Sequence, residues 1–273
     1  MSHSDIPEFL LKSMIKHALE EDLGGVGDLT SRAVIPDGIT YSAKLNARDM
    51  GVLSGMQIAE IAFLMIDKKI EIETCLKDGS YVKRNDTCMI IKGDAKSILM
   101  AERVALNFAG RLSGIATMTS AFVAETKGTK AKISCTRKTT PGLRLVEKEA
   151  VRHGGGSSHR FGLNDAIMIK DNHIAAAGSI QKVLESARNF ASHMTAIEIE
   201  VDTLNQLEQV LNYGEGTASN AGFPPMPAWY KDNRDFSNIA NGLNKIGMTK
   251  TEISKVMGNN WLNFYDNNFG AIK

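Results

Sequence analysis

The sequence predicts an α/β chain of two unlike parts, an N-terminal α+β domain followed by a series of parallel βα units. Three observations carry this. Short alternating runs between Tyr41 and about Ile91 suit an antiparallel sheet. From Ala131, strand-then-helix pairs recur at a spacing of roughly 30 residues, as βαβ units do. After Tyr213 that rhythm stops. The 273 residues suffice for one large or two ordinary domains, and 43% hydrophobic with 23% charged residues marks a globular chain rather than a disordered one.

Thirty-two basic and thirty-one acidic residues leave a net charge of +1, so no overall field draws nucleic acid or anionic lipid. Any anion must be gripped locally. The start, MSHSDIPEFLLK, lacks the cationic and apolar pattern of a secretory signal, and the longest apolar run, around 58–66, contains Glu60 and is too short to span a bilayer. A cytoplasmic protein is expected, with neither nucleic acid nor membrane as partner. Cys75, Cys88 and Cys135 are odd in number and far apart, and are expected to be small buried hydrophobes rather than disulfide or zinc ligands.

Residues 5–20 read as a helix, with Pro7 in its first turn and Leu10, Leu11, Met14, Ile15, Ala18 and Leu19 at helical spacing. Within 41–91 the runs AKLNAR, IEIETCL and TCMIIKG read as strands, with a helix at Met56–Ile66 between the first two. Two helices are expected next, Ala95–Phe108 and Ile115–Thr126, joined around Gly110 and Gly114. Three βα units follow. The first is AKISCT and a helix at Leu143–Arg152 closed by Gly154. The second is AIMIK and a helix carrying Ile180, Val183, Leu184, Ala187, Phe190 and Ala191 on one side. The third is AIEIEV and a helix opened by Thr203 and Gln206 as a capping box. Beyond the Gly-, Asn- and Pro-rich break, two short helices are expected at Phe236–Ile246 and Thr249–Met257.

Cationic residues gather near the carboxyl ends of the expected parallel strands, where α/β folds place their sites. Arg137 and Lys138 follow the first strand, His159 and Arg160 precede the second, Lys170 ends it and His173 lies just beyond. Such a cluster suits a small ligand with several carboxylates or phosphates; solvated loop charges are the alternative. On the third strand Glu198 and Glu200 share a face, followed by Asp202, and could hold Mg²⁺ or ribose hydroxyls, or could pair with Lys138 or Lys170. The run GGGSSHR could expose amides to an anion or could simply close a helix.

The segment TRKTTPGLRLVEKEAVRHGGGSSHRFGLNDAIMIKDNHI closely resembles the signature of the quinolinate phosphoribosyltransferases, also called nicotinate-nucleotide pyrophosphorylases (carboxylating). So do EDLGGVGDLTS, AERVALNFAGRLSGIAT and EIEVDTLNQLEQVL, which extend the resemblance over about residues 5–214. The first segment looks closer to these enzymes than to the molybdenum-locus homologue of the same fold. The resemblance implies an N-terminal α+β sandwich domain (1–112) followed by a partial (β/α) barrel (113–216). It also implies transfer of phosphoribosyl from phosphoribosyl pyrophosphate to quinolinate with Mg²⁺, giving nicotinate mononucleotide for NAD synthesis. By matching position, Arg137, His159, Arg160 and Lys170 would hold quinolinate's carboxylates, and Arg103 would reach the pocket from the other subunit of a homodimer. Lys138 would contact the phosphoribosyl donor, and Glu200, or else Glu198, its ribose hydroxyls and the metal.

The resemblance breaks at two places. Cys135 stands where the family commonly carries Asp. After about Gly216 the family's later strands and donor-phosphate loops do not follow, which puts turnover in question and admits a second reading, a non-catalytic dicarboxylate-binding or dimerising remnant. Residues 217–273 resemble instead the C-terminal end of the membrane (renal) dipeptidases. A metallo-dipeptidase is the third reading, but no His follows His193 to build its zinc site.

Overall fold

The computed structural model describes residues 6–213, 241, 244, 245 and 247–254. The chain packs as two compact units, Met1–Asp165 and Ala166–Lys273.

The first unit begins with helix α1 (Glu8–Leu23), which starts directly after Pro7 and buries Leu11, Ile15 and Leu19 at i, i+4 and i+8. Leu10, expected on that stripe, is largely exposed. Helix α2 (Leu29–Val34) is opened by Asp28, whose carboxylate accepts the Thr30 and Ser31 amides at 2.9 and 3.1 Å. Strands β1 (Thr40–Asn46) and β2 (Gly51–Val52), helix α3 (Met56–Ile66), then β3 (Glu71–Thr74), β4 (Tyr81–Val82) and β5 (Thr87–Asp94) follow. The antiparallel sheet has the order β1-β5-β3, and β2 pairs with β4. Central β5 buries Cys88, Met89 and Ile91 in one core with Met56, Ala59, Ala62 and Phe63 of α3.

The two helices expected around Gly110 and Gly114 are one, α4 (Ala95–Glu125), of 31 residues. Asp94 caps it by accepting the Ser97 amide at 2.9 Å. A glycine inside a helix costs roughly 0.5–1 kcal/mol relative to alanine. The continuous buried face of Ala101, Ala105, Phe108, Leu112 and Ala116 outweighs two such costs, since one buried Leu or Phe contributes about 1.5–3 kcal/mol.

The first expected barrel strand, AKISCT, is a single parallel bridge between Ser134 and Ser157. The Cys135 amide donates to the Ser157 carbonyl at 3.1 Å and the Ser157 amide to the Ile133 carbonyl at 2.8 Å. Pairing goes no further because the run opposite is the turn Gly154–Gly156 before the bridge and the loop carrying His159 and Arg160 after it. Helix α5 (Arg144–His153) buries Val146 and Ala150 and ends at Gly154. A Cβ on Gly154 would overlap the Ala116 carbonyl oxygen and stand 2.7 Å from Thr119 Cβ, so α5 meets α4 closely only because this residue is glycine. Gly154→Ala is expected to destabilise the protein by about 1–3 kcal/mol through overpacking, read as a lowered urea midpoint.

In the second unit β6 (Ile167–Ile169) and β7 (Ile197–Ile199) pair in parallel, Ile167 opposite Ile197. Between them lie α6 (Asp171–Ala177), which the sequence pattern did not reveal, and α7 (Ile180–Phe190). Ile169, Ile180, Val183 and Leu184 form a small core. Phe190 is 86% exposed rather than part of the buried stripe; it is the last residue of the helix, and the backbone turns extended at Ala191. Helix α8 (Leu204–Tyr213) has the expected capping box, with Gln206 Oε1 accepting the Thr203 amide at 3.1 Å and Thr203 Oγ1 accepting the Gln206 amide at 3.2 Å.

Of the two later helices, Phe236–Ile246 falls almost wholly outside the described residues. The second is present as Lys250–Ser254, with Thr249 and Glu252 capping each other. Among the described residues no helix is long and apolar enough to cross a membrane.

Candidate functional site

In the first unit the cationic residues sit on two loops, one running from Cys135 to Thr140 and one from Ser157 to Phe161. Arg137 is half-buried and Lys138 exposed on the first, and His159 and Arg160 are half-buried on the second. Both loops rest on α5. Arg144 donates Nε to Thr139 Oγ1 at 3.1 Å and Nη1 to the Phe161 carbonyl at 3.2 Å. Lys148 donates Nζ to Cys135 Sγ at 2.9 Å and to the His159 carbonyl at 3.2 Å.

Between these two, Glu147 accepts the Thr140 amide at 3.0 Å and receives Arg111 of α4 through Nε at 2.9 Å and Nη2 at 2.6 Å. Arg111 also bonds the Thr140 hydroxyl. Burial pushes the Glu147 carboxyl up, but the Thr140 amide, the Arg111 guanidinium and the Thr140 hydroxyl together hold it below the usual carboxylate range. Glu147 and Lys148 are 6% and 4% exposed.

A cavity of about 670 Å³ opens beside this network, lined by Lys138, Thr139, Thr140, Cys135 and Lys148 among others. Arg137 Nε is buried and has no hydrogen-bond partner among the described residues. A guanidinium edge held in that way is a donor awaiting an acceptor, and a carboxylate suits it geometrically.

The glycine run offers no anion nest. The amides of Gly154, Gly155, Gly156 and Ser157 donate to the carbonyls of Ala150, Arg152, Val151 and Ile133, so the turn is a helix cap. Arg103 is exposed on α4. Of the cysteines, only Cys88 matches the expected burial; Cys135 is half-buried and Cys75, on an exposed turn after β3, faces solvent.

In the second unit Lys170 follows β6 and Glu200 follows β7, and parallel pairing brings their side chains together, Nζ to Oε2 at 2.7 Å. Glu198 is exposed one pleat earlier, opposite Met168. His173 turns back to its own helix, its Nδ1 accepting the Lys170 amide at 2.9 Å. Among the described residues no three His, Cys, Asp or Glu side chains converge as a metal site.

Sequence reasoning missed Arg111, Arg144, Glu147 and Lys148. Positions 144, 147 and 148 fall on one helix face, but charged residues at such spacing read as solvated until their partners are known.

The α+β and βα units, with arginine, lysine and histidine collected on two loops seated on α5, make this an α/β protein with a cationic candidate site. Residues 28–113 match the family model described as quinolinate phosphoribosyl transferase, N-terminal domain, and residues 115–219 match that of its C-terminal domain. The probable nicotinate-nucleotide pyrophosphorylase (carboxylating) of Bacillus subtilis is 42% identical over 215 residues, 79% of this chain and 74% of that protein. Quinolinate phosphoribosyltransferase (decarboxylating) 1b of Nicotiana tabacum is 41% identical over 217 residues, 78% of this chain and 61% of that protein. Among solved structures, NadC from Streptococcus pyogenes aligns with a TM-score of 0.74 at 41% identity, covering 78% of this chain and 75% of that one. The chain belongs to the quinolinate phosphoribosyltransferase family. The resemblance of residues 217–273 to dipeptidases is not borne out, since both family models and all the relatives above are of this one family.

Proposed function

We propose that the protein transfers phosphoribosyl from phosphoribosyl pyrophosphate to quinolinate, releasing pyrophosphate and CO₂ and forming nicotinate mononucleotide for NAD synthesis. The observation that carries this reading is the pair of cationic loops seated on α5, where Lys138 and Lys148 line a cavity and Arg137 Nε is buried without a hydrogen-bond partner among the described residues. The family match supports it.

In this reading Arg137, His159 and Arg160 hold quinolinate's two carboxylates. Lys138 meets the donor's phosphates, and Glu200, or Glu198, its ribose hydroxyls. The ring nitrogen displaces pyrophosphate from the ribose carbon and becomes positive. That charge stabilises the electron pair left on the ring when the adjacent carboxylate departs as CO₂, and a proton then takes its place. No strong acid or base is required. The protein orients two anions that repel one another and stabilises charge where it develops.

One protein carboxylate fits Mg²⁺, which commonly keeps one or two carboxylates together with substrate phosphates and water. Glu200 would hold it, with Glu198 as the alternative, and the ion would neutralise charge on the departing pyrophosphate. We place Arg103 in a homodimer, reaching the partner's site, because it is exposed on α4 beside exposed Leu99 and so is available to a second copy. Three free cysteines suit a reducing cytoplasm.

Incubating the protein with quinolinate, phosphoribosyl pyrophosphate and Mg²⁺ tests the reading by chromatography of the products. Nicotinate mononucleotide is expected. Quinolinate binding without product would favour the dicarboxylate-binding remnant, a reading supported by the C-terminal family match ending at residue 219.

A further inference from the structure

Regular backbone pairing between the two cationic loops stops at the Ser134–Ser157 bridge. Beyond it, two basic side chains one turn apart on α5 take over. Arg144 bonds Thr139 on one loop and the Phe161 carbonyl on the other. Lys148 bonds Cys135 on one loop and the His159 carbonyl on the other. The anchor points bracket the ligand-facing residues, since Cys135 and Thr139 flank Arg137 and Lys138, and His159 and Phe161 flank Arg160. Each side chain therefore joins both loops, and neither spends its bonds within one.

Stability alone does not account for Lys148. The residue is 4% exposed, and its ammonium donates to a thiol and a carbonyl, neither of them a carboxylate. Desolvating a charge without an opposite charge is unfavourable, and an apolar side chain of the same length packs there at lower cost. An apolar side chain, however, makes no directed bond to either loop. The geometry points to Arg144 and Lys148 as positioning residues that set the separation of the two loops, and with it the fit of an acceptor carrying two neighbouring carboxylates. Only the identity of that acceptor rests on the function proposed above.

Two variants, Lys148→Met and Arg144→Met, keep an unbranched apolar stem and remove the directed bonds. The first readout needs no ligand. Amide hydrogen exchange, measured by mass spectrometry on peptides spanning 133–140 and 157–163, is expected to rise about fivefold or more in both loops of either variant, with α3 unchanged. The second is kinetic. The quinolinate KM is expected to rise about tenfold or more with kcat within about threefold, the pattern of lost acceptor fit. The melting temperature of Lys148→Met should be unchanged or raised, and Lys148→Arg, which keeps donors and charge, should recover most of the KM.

Exchange that stays unchanged, or rises in one loop alone, overturns the positioning role. So does a lowered melting temperature with no change in quinolinate KM, which marks a purely structural residue. If the unaltered protein makes no product, the proposed function fails by itself, and the exchange measurement still decides the positioning role.

Discussion

Arg137→Ala is expected to weaken quinolinate binding about 100-fold or more, because a bidentate guanidinium–carboxylate pair loses two charge-assisted bonds of ~1.5–3 kcal/mol each. The fold should survive. Arg137 lies on a loop and its Nε has no partner among the described residues, so removing the side chain orphans nothing known at that atom. Calorimetric titration with quinolinate, alongside a thermal melt, checks both halves. Unchanged affinity in a folded variant would remove Arg137 from the pocket and with it the assignment of the first loop.

The largest loss of stability is expected from Glu147→Gln, at about 2–3 kcal/mol near neutral pH. Glu147 is buried and satisfies the Thr140 amide and two Arg111 donors at once. A neutral amide keeps the shape but surrenders the charge, and its NH₂ faces donors. Arg111 is about half exposed, so water recovers part of its share and keeps the loss below that of a wholly buried pair.

The pH dependence has a definite sign. The folded Glu147 carboxyl lies below its ordinary value, so as pH falls below that ordinary value the unfolded chain binds more protons at this site, and stability there rises with pH. Its contribution is complete above the unfolded value and disappears as pH falls through the folded one. Asp78, whose carboxyl burial pushes up, works in the opposite direction but is common to both proteins and cancels in the difference. Urea midpoints of the two proteins should therefore differ most at pH 7 and converge on acidification. A gap as wide at pH 3 as at pH 7 would show that Glu147 acts by packing rather than charge.

Much of this architecture is local and was legible. The Thr203–Gln206 capping box, the helix at Met56–Ile66 and the alternating runs that became β1, β3 and β5 depend on side chains a few residues apart. The cationic residues of the candidate site were legible as well, because arginine, lysine and histidine concentrated near short apolar runs in a nearly neutral chain need a local cause. Errors arose where distant residues decide. Gly110 and Gly114 read as a break, yet the core contacts of Phe108 and Leu112 carry α4 through both. The run AKISCT has the residues of a strand, but the chain placed opposite it turns on three glycines, so it forms a single bridge.

The sequence by itself determined the kinds of element, the family and the cationic residues of the candidate site, since periodicity, capping and charge are properties of neighbouring side chains. Only the tertiary structure decided what holds that site in shape. Arg144, Glu147 and Lys148 look like the solvated face of an ordinary helix until Arg111 and the two loops are brought against them. A charged side chain carries no mark of burial in its own residue type. What distinguishes it is the set of partners that folding delivers from elsewhere in the chain.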